Sequence, residues 1–323
     1  MFHSRKGLIF WFVVGLVILG GNPSARACDV CALHPPAEDT GSVSTAAGTT
    51  LKQGTFALGF TFEHRKWDEL GHRNAHELHE AGRNIHNFDH DEFYHLGLSY
   101  GVTDDLEVGL IMPIVQKTFL RVEDGVVGRG DNSEGAGDLS LTGKYRLYQG
   151  AADLAVLGGV KSPTGDTAQT GFDGKKLEPE EVPGTGSFDY LLGAAVGKQI
   201  GRWTVGGDLI YHFKTEGAQD YEFGDVLRLD LATSYALREV GRFPNVRLTG
   251  ELNAQFLDKD RGRMGKVFDS GGQIFFLTPG VSVDLTEQMT AFFSVPVPVY
   301  QNRGGEHSEV KYGLIAGLSL RWG

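Results

Sequence analysis

The sequence contains few cysteines, no excess of positive charge and only one long apolar run. Cys28 and Cys31 are its only cysteines, and the formal net charge is −11. An acidic chain binds nucleic acid poorly, so we exclude that class of partner. After the N-terminal region no stretch approaches the ~18 consecutive apolar residues of a membrane-spanning helix, which excludes a helical membrane protein.

The N-terminal region has the three parts of a secretory signal peptide. Arg5 and Lys6 precede the apolar run "GLIFWFVVGLVILGG", which is shorter than the ~20 residues of a membrane span. "NPSARA" then supplies an A-x-A cleavage site before Cys28. We expect residues 1–27 to be removed, which takes the formal net charge from −11 to −14 because Arg5, Lys6 and Arg26 are lost. A lipoprotein signal is the alternative, although Ala25 stands where such signals have Leu.

The two cysteines lie in "CDVCALH", directly after the expected cleavage site. In an exported protein a disulfide is the ordinary outcome of such a pair, and a metal site with His34 as a third ligand is the alternative. Covalent haem would need a histidine directly after Cys31, where this chain has Ala32. Two prolines follow, so we expect residues 28–50 to form an irregular periplasmic tether.

From about residue 51 onward, apolar and polar residues alternate with the period of two that is typical of β-strands. In "WTVGGDLIYHFK" one face carries Trp203, Val205, Leu209, Tyr211 and Phe213, and the other carries Thr204, Asp208, His212 and Lys214. The stretches "DLSLTGKYRLY", "LRLDLATSYAL" and "VRLTGELNAQF" repeat the pattern. A soluble sheet and a membrane barrel would both produce it.

Connection lengths favour the barrel. About twelve strand candidates are joined alternately by short and long segments. The short segments are 103–105, 149–151, 201–202, 238–242 and 286–288, and the long ones are 66–91, 123–137, 164–187, 215–225, 258–271 and 301–310. Outer-membrane barrels have such tight periplasmic turns and long external loops. Residues 51–323 are therefore predicted to form an all-β, antiparallel up-and-down barrel in the bacterial outer membrane, surrounded by lipid and lipopolysaccharide.

The C-terminal stretch and several strand residues add detail to this prediction. "KYGLIAGLSLRWG" is similar to the aromatic-ended last strand that the barrel-assembly machinery reads, so we expect that machinery as a partner; Gly323 after Trp322 departs from the pattern. Three prolines fall inside strand candidates, and we expect β-bulges near them because proline removes a ladder donor. They are Pro279, Pro296 and Pro298.

Longer stretches carry a family resemblance. They are "SYGVTDDLEVGLIMPIV", "GDLSLTGKYRLY", "GVKSPTGD", "EEVPGTGSFDYLLGAAVGKQIG" and "SGGQIFFLTPGVSVDL…VPVPVYQ". Together they resemble the outer-membrane proteins of the MetA-pathway of phenol degradation family, over nearly all of residues 51–323. The resemblance implies a transporter-like barrel in a family whose named members are associated with aromatic degradation, and it leaves the cargo open.

Twelve strands predict a bore between the filled interior of ~8-stranded barrels and the open channel of 16–18-stranded porins. The residues expected to line it are Glu107, Lys144, Arg146, Asp208, His212, Lys214, Arg228, Asp230, Arg247, Glu251, Phe292 and Arg321. Opposite charges recur near each other on one strand, as with Arg228 and Asp230 or Arg247 and Glu251. The charges either pair and merely solvate the lumen, or form a constriction that sorts small solutes by charge and size. Mixed signs, and inward aromatic rings at Phe276 and Phe292, favour a neutral, zwitterionic or aromatic small-molecule solute.

The first long loop, residues 68–91, is rich in histidine. His72, His76, His79, Arg83, His86 and His90 are spaced 4, 3, 4, 3 and 4 residues apart, which predicts one stripe of an amphipathic helix on the barrel rim. Imidazoles so spaced can share Zn²⁺, Cu²⁺ or Ni²⁺, with Glu80 and Asp89 as further ligands. A divalent-metal port is therefore the alternative function, and a solvated loop or a pH sensor are the other interpretations. No other cofactor is expected.

An outer-membrane enzyme is the rival class of protein, because barrels can carry a Ser–His pair near the membrane boundary. Here no serine is in an obvious register with the strand histidines His64, His95 and His212. No G-x-S-x-G sequence occurs, and in "HELHE" the histidines are three residues apart rather than the four of H-E-x-x-H. We therefore do not expect an enzyme.

Overall fold

The computed structural model describes residues 44–68, 77, 87–123, 126–268, 270–303 and 308–323. The strands are β1 (Phe56–Asp68), β2 (Asn87–Gly101), β3 (Leu106–Glu123), β4 (Val126–Ala136), β5 (Leu139–Tyr148), β6 (Asp153–Ser162), β7 (Asp189–Ile200), β8 (Trp203–Phe213), β9 (Val226–Ala236), β10 (Asn245–Leu257), β11 (Arg261–Gly262), β12 (Gly265–Lys266), β13 (Gly272–Asp284), β14 (Met289–Ser294), β15 (Val297–Arg303) and β16 (Glu309–Trp322). Within these ranges, no helix has the length and apolar character needed to cross a membrane.

The strands form a closed antiparallel barrel with twelve wall positions, as the sequence predicts. Closure occurs between the first and last strands, with β1 paired to β16 from Phe56↔Trp322 to Asp68↔Glu309. Two wall positions are each filled by two consecutive strands. β4 and β5 both pair with β3, and β14 and β15 both pair with β13. The short pair β11–β12 forms a separate two-stranded sheet within the link from β10 to β13.

The alternation of short and long connections is confirmed, with corrections to three of the long segments. In the predicted segments 66–91 and 301–310, residues 66–68, 87–91, 301–303 and 309–310 belong to strands. Short links occupy 102–105, 149–152, 201–202, 237–244 and 285–288, whereas 163–188, 214–225 and 258–271 are long. The predicted loop 123–137 is wrong, because β3 runs to Glu123 and pairs with β4 over 126–136. The sequence "GRGDNSEGA" is polar at nearly every position, so it lacks the alternation that lipid contact imposes on a strand.

Burial alternates along the wall as the two-residue period predicts. On β7–β9, Leu192, Leu209 and Leu231 are 61%, 49% and 52% exposed, while the inward neighbours Asp208 and Asp230 are buried. An exposed belt of leucine and aromatic side chains is stable only against hydrocarbon, since in water it would far exceed the apolar patch of a typical soluble monomer.

The strand prolines are accommodated largely by irregularities, as expected. The register of β13 with β15 shifts between Phe275 and Phe276, opposite Tyr300 and Pro298, which leaves one extra residue on β15. Pro296 lies in the gap between β14 and β15, and its carbonyl accepts the Gly313 N–H at 2.7 Å. Pro279 stays within β13 opposite Gly250.

Candidate functional site

The residues predicted to line the bore lie on wall strands, except Lys214, which directly follows β8. Seven of them are buried: Glu107, Lys144, Asp208, His212, Arg228, Asp230 and Glu251. Arg146, Lys214, Arg247, Phe292 and Arg321 are half-buried. Because the barrel encloses these side chains in a low-dielectric wall, each charge needs a partner.

Most of those partners are opposite charges on the same or an adjacent strand. Arg228 pairs with Asp230 on β9, and Lys144 lies 3.5 Å from Glu107 across the β3–β5 ladder. Arg247 has a partner on an adjacent strand, since its Nε donates to Asp284 Oδ2 on β13 at 2.8 Å.

A second charged cluster contains Lys214, which the sequence predicts as a lumen residue, and three residues that the prediction lacks: Asp138, Lys161 and Asp189. Lys161 on β6 lies 2.8 Å from Asp138 and 2.9 Å from Asp189, and Lys214 lies 3.2 Å from the same Asp189 oxygen. The Thr185 N–H and hydroxyl also donate to Asp138. The cluster joins β5, β6, β7 and the segment after β8, and its pairs cross strands, so no single alternating stretch reveals it.

The chain before β1 enters the lumen rather than remaining in a tether. Glu251 Oε2 accepts the Ser44 N–H at 3.1 Å and the Thr45 hydroxyl at 2.8 Å, and Asp208 Oδ2 accepts the Ala46 N–H at 2.5 Å. The predicted tether, residues 28–50, is described only from residue 44 onward. We call residues 44–51 the lumen segment.

The lumen segment crosses the bore from one wall to another. The Leu51 N–H donates to Glu107 Oε2 at 3.0 Å, on the β3 side. Gly48 lies so close to the Asp153 carbonyl that a Cβ there would overlap it. Three carboxylates that the sequence predicts as lumen residues therefore hold backbone N–H groups of this segment, through charge-assisted hydrogen bonds.

The external loop between β6 and β7 folds inward from the opposite end. The Lys117 ammonium donates to the carbonyls of Glu180 at 2.8 Å and Val182 at 2.9 Å, and Leu177 and Val182 pack on Phe119. The loop backbone at Gly184 lies directly against Gly165, where any Cβ would overlap. The bore is thus narrowed by this loop as well as by the lumen segment.

The described residues line a pair of cavities inside the barrel. The first, about 750 Å³ with its open mouth included, is lined by β1–β3 and β5–β8 and has Phe93, Ile111 and Val115 among its apolar residues. The second, about 450 Å³ by the same measure, is lined by β9, β10, β13, β16 and β1 and has Phe276 and Ile315. We call the two cavities together the chamber.

The charges that line the chamber are balanced. Around the first cavity they are Glu63, Arg65, Asp138, Lys161, Asp189 and Lys214, three of each sign. Around the second they are Glu63, Arg65, Arg228 and Asp230, two of each sign. Arg65 Nη2 lies 2.8 Å from Glu63 Oε1, so each of these charged groups has an opposite charge beside it.

The predicted metal ligands fall mostly outside the described residues. That applies to Cys28, Cys31, His34, His72, His76, His79 and His86. His90 is described, and it lies in β2 rather than in a helix; its Nδ1 is 2.9 Å from Asp89 and its ring stacks on His64 at 5.5 Å. Within the described ranges no three His, Cys, Asp or Glu side chains converge as a metal site. The metal port stays a prediction.

Among three similar solved structures, the first supports the barrel assignment. An outer membrane channel from Pseudomonas putida F1 is similar over 85% of this chain and 97% of its own, with a TM-score of 0.63 and 16% sequence identity. The β domain of the Bordetella autotransporter BrkA aligns over 82% and 98%, with a TM-score of 0.47 and 12% identity. CymD, a monoaromatic hydrocarbon channel, aligns over 84% and 88%, with a TM-score of 0.40 and 10% identity. Among curated protein sequences there is no match.

The sequence itself gives the more specific result. A family model described as "Putative MetA-pathway of phenol degradation" matches residues 96–308, which is more than half of the chain. That range includes most strands of the wall, the β6–β7 loop and most of the charged residues around the chamber. The fold is that of a bacterial outer-membrane barrel, and the chain belongs to the MetA-pathway of phenol degradation family.

Proposed function

We propose that the protein is a narrow outer-membrane channel for small neutral molecules, aromatic molecules included. The observation that carries this proposal is the balance of charge around the chamber. Each lining carboxylate has a lysine or arginine beside it, and each lining cation has a carboxylate beside it.

A balanced chamber disfavours ions for a physical reason. An ion that enters must give up much of its hydration, and buried pairs that already neutralise each other supply no net charge in return. A neutral molecule loses far less on leaving water, and it gains contact with apolar walls such as Phe93, Val115 and Phe276. A zwitterion is intermediate, because it would have to insert between two existing ion pairs.

Family membership supports an aromatic cargo independently of the charges. The family is described by a pathway of phenol degradation. Phenol and related compounds are compact, flat and neutral at pH 7, and both cavities have aromatic residues in their walls. Neither feature supports a large hydrophilic solute, for which the lumen segment and the β6–β7 loop leave little room.

The test uses residues 28–323 refolded into liposomes and a matched pair of solutes that cross lipid poorly. Phenyl glucoside is neutral, and phenyl glucuronide differs by one carboxylate. We expect the glucoside to enter at least about tenfold faster, which corresponds to ~1.4 kcal/mol at the barrier. Methyl glucoside, which lacks the ring, should enter more slowly than the phenyl compound.

Two results would overturn the proposed function. The first is entry of the glucoside no faster than into liposomes that hold heat-denatured protein. The second is entry of the glucuronide at the rate of the glucoside, which would mean that the paired charges do not exclude ions.

A further inference from the structure

Arg65 occupies a special position in the chamber. It points inward from β1, is 5% exposed, and its register partners are Gly313 on β16 and Asp91 on β2. One ion-pair partner of its guanidinium is Glu63, two residues earlier on the same strand, at 2.8 Å. The buried Asp91 carboxylate faces it from β2. The planar surface of the guanidinium lies against other neighbours.

Two aromatic rings lie beside that surface. The guanidinium carbon is 5.3 Å from the centre of the Phe93 ring and 5.8 Å from the centre of the Trp67 ring. Trp67 is fixed in turn, because its indole N–H donates to Asp91 at 2.8 Å and the ring packs on Ile274 and Phe276. The guanidinium carbon of Arg303 also lies 4.8 Å from the centre of the Trp67 ring. A planar guanidinium stacks on aromatic faces in a way that an ammonium cannot, so these groups together form a π-rich surface.

This surface lies between the two cavities. Of the described residues that line the chamber, Glu63 and Arg65 alone line both cavities. The first cavity follows the wall from β1 to β8, and the second follows it from β9 back to β1. A molecule that moves from one cavity to the other on the β1 side therefore passes the Arg65 side chain.

We propose that Arg65 selects aromatic over non-aromatic cargo, an inference that rests on the proposed function. An aromatic ring in either cavity can stack on the guanidinium, and in the first cavity it can also contact Phe93. A saturated ring of the same size gains only the apolar contact. The Glu63 and Asp91 carboxylates both lie beside Arg65, so the preference is for a flat π-face rather than for an anion.

Binding tests this inference separately from transport. Benzyl alcohol and cyclohexylmethanol are neutral and nearly equal in size, and neither absorbs at 295 nm, so tryptophan emission can report both. With Trp203 and Trp322 replaced by Phe, Trp67 is the only tryptophan after residue 27. Titrating the refolded protein, we expect the Trp67 signal to change at roughly fivefold lower concentration of benzyl alcohol than of cyclohexylmethanol.

Three variants identify the residue responsible. The pair Glu63→Gln/Arg65→Met removes the guanidinium together with the charge of Glu63, and it should reduce the preference to about one. Arg65→Lys keeps the charge but not the planar face, so it should retain less than half of the preference. The matched control Arg247→Met/Asp284→Asn removes an ion pair inside the barrel whose residues line neither cavity, and it should keep the preference.

Equal binding of the two alcohols by the parent protein would overturn the inference. So would a preference that survives in Glu63→Gln/Arg65→Met. Entry of phenyl glucoside into liposomes, measured on the same preparations, distinguishes these results from failure of the channel itself. A protein that transports the glucoside without preferring the aromatic alcohol refutes only the assignment of Arg65.

Discussion

Glu251 should control how firmly the lumen segment is seated. Its Oε2 accepts two hydrogen bonds from that segment, at 3.1 and 2.8 Å, and its side chain is among the most completely buried in the protein. In Glu251→Gln the acceptor becomes neutral and the side-chain shape is nearly kept. Hydrogen bonds to a charged group contribute ~1.5–3 kcal/mol and neutral ones ~0.5–1.5, so the change removes about 1 kcal/mol for each bond.

Two such losses amount to about 2 kcal/mol, or a roughly thirtyfold rise in the ratio of released to seated segment. The lumen segment keeps its bonds to Asp208 and Glu107. The backbone ladders of β10 are unaffected by the substitution, so the barrel itself should stay folded. Single-channel recording in planar bilayers measures the effect as the fraction of time spent in the higher-conductance state. A doubled variant, Asp208→Asn/Glu251→Gln, should extend the same trend.

Asp284→Asn is the matched control. Asp284 is also a lumen carboxylate with two bonding partners, but these are Arg247 at 2.8 Å and Thr290 at 3.1 Å. Its substitution should leave the open fraction unchanged. If Glu251→Gln behaves as the parent protein does, or if Asp284→Asn opens the channel equally, the hydrogen bonds of Glu251 do not hold the lumen segment.

Three further predictions concern the charge of the chamber, the lipid-facing belt and the β6–β7 loop. Asp189→Asn removes the carboxylate between two lysines, so the chamber gains net positive charge. The reversal potential in a KCl gradient should shift toward that of chloride, and an unshifted value would mean that the paired charges do not set the ion selectivity. Leu209→Arg places a cation on the lipid-facing belt and should lower the free energy of unfolding by ~2–4 kcal/mol, measured by urea titration of vesicle-embedded protein. The control Met264→Arg, at the fully exposed β11–β12 turn, should leave the free energy of unfolding unchanged. The pKa of Asp166, in the β6–β7 loop, is lowered by hydrogen bonds from a backbone N–H and a glutamine side chain. The ionised carboxylate therefore stabilises the folded loop above the ordinary pKa of ~3.9, and this stabilisation is lost as the pH falls below it. Protease cleavage of the loop should rise at pH 3, and Asp166→Asn should remove that rise.

The wall of the barrel could be predicted from sequence because lipid acts on every second residue. Leu209 and Leu231 must be apolar where hydrocarbon lies against them, and Asp208 and Asp230 cannot be there. Where a strand extends beyond the hydrocarbon, this constraint ends. β4 was therefore predicted as loop, and Arg65 was missed because it lies in "EHRKWD", where charged residues occupy both faces.

The lumen segment could not be predicted from any local pattern. Its contacts join residues 207, 162 and 56 positions apart in the chain, through Glu251, Asp208 and Glu107 respectively. Alternation identifies these carboxylates as inward-facing, and it does not identify what they face. A short segment of small residues such as "STAAGT" fits a crowded bore, but the same composition is equally typical of a solvated tether.

Some ion pairs of the lumen can be predicted from the sequence of one strand, whereas others depend on the register between strands. Inward residues two positions apart are separated by about 7 Å along a strand, within reach of an arginine and a carboxylate, and Glu63–Arg65 and Arg228–Asp230 both form such pairs. Four positions correspond to about 13 Å, and Arg247 forms an ion pair across the ladder with Asp284. The Lys161 cluster likewise depends on strand neighbours that only the closed barrel brings together. The neutrality of the chamber, on which the exclusion of ions depends, is therefore a property of the register and cannot be calculated from composition.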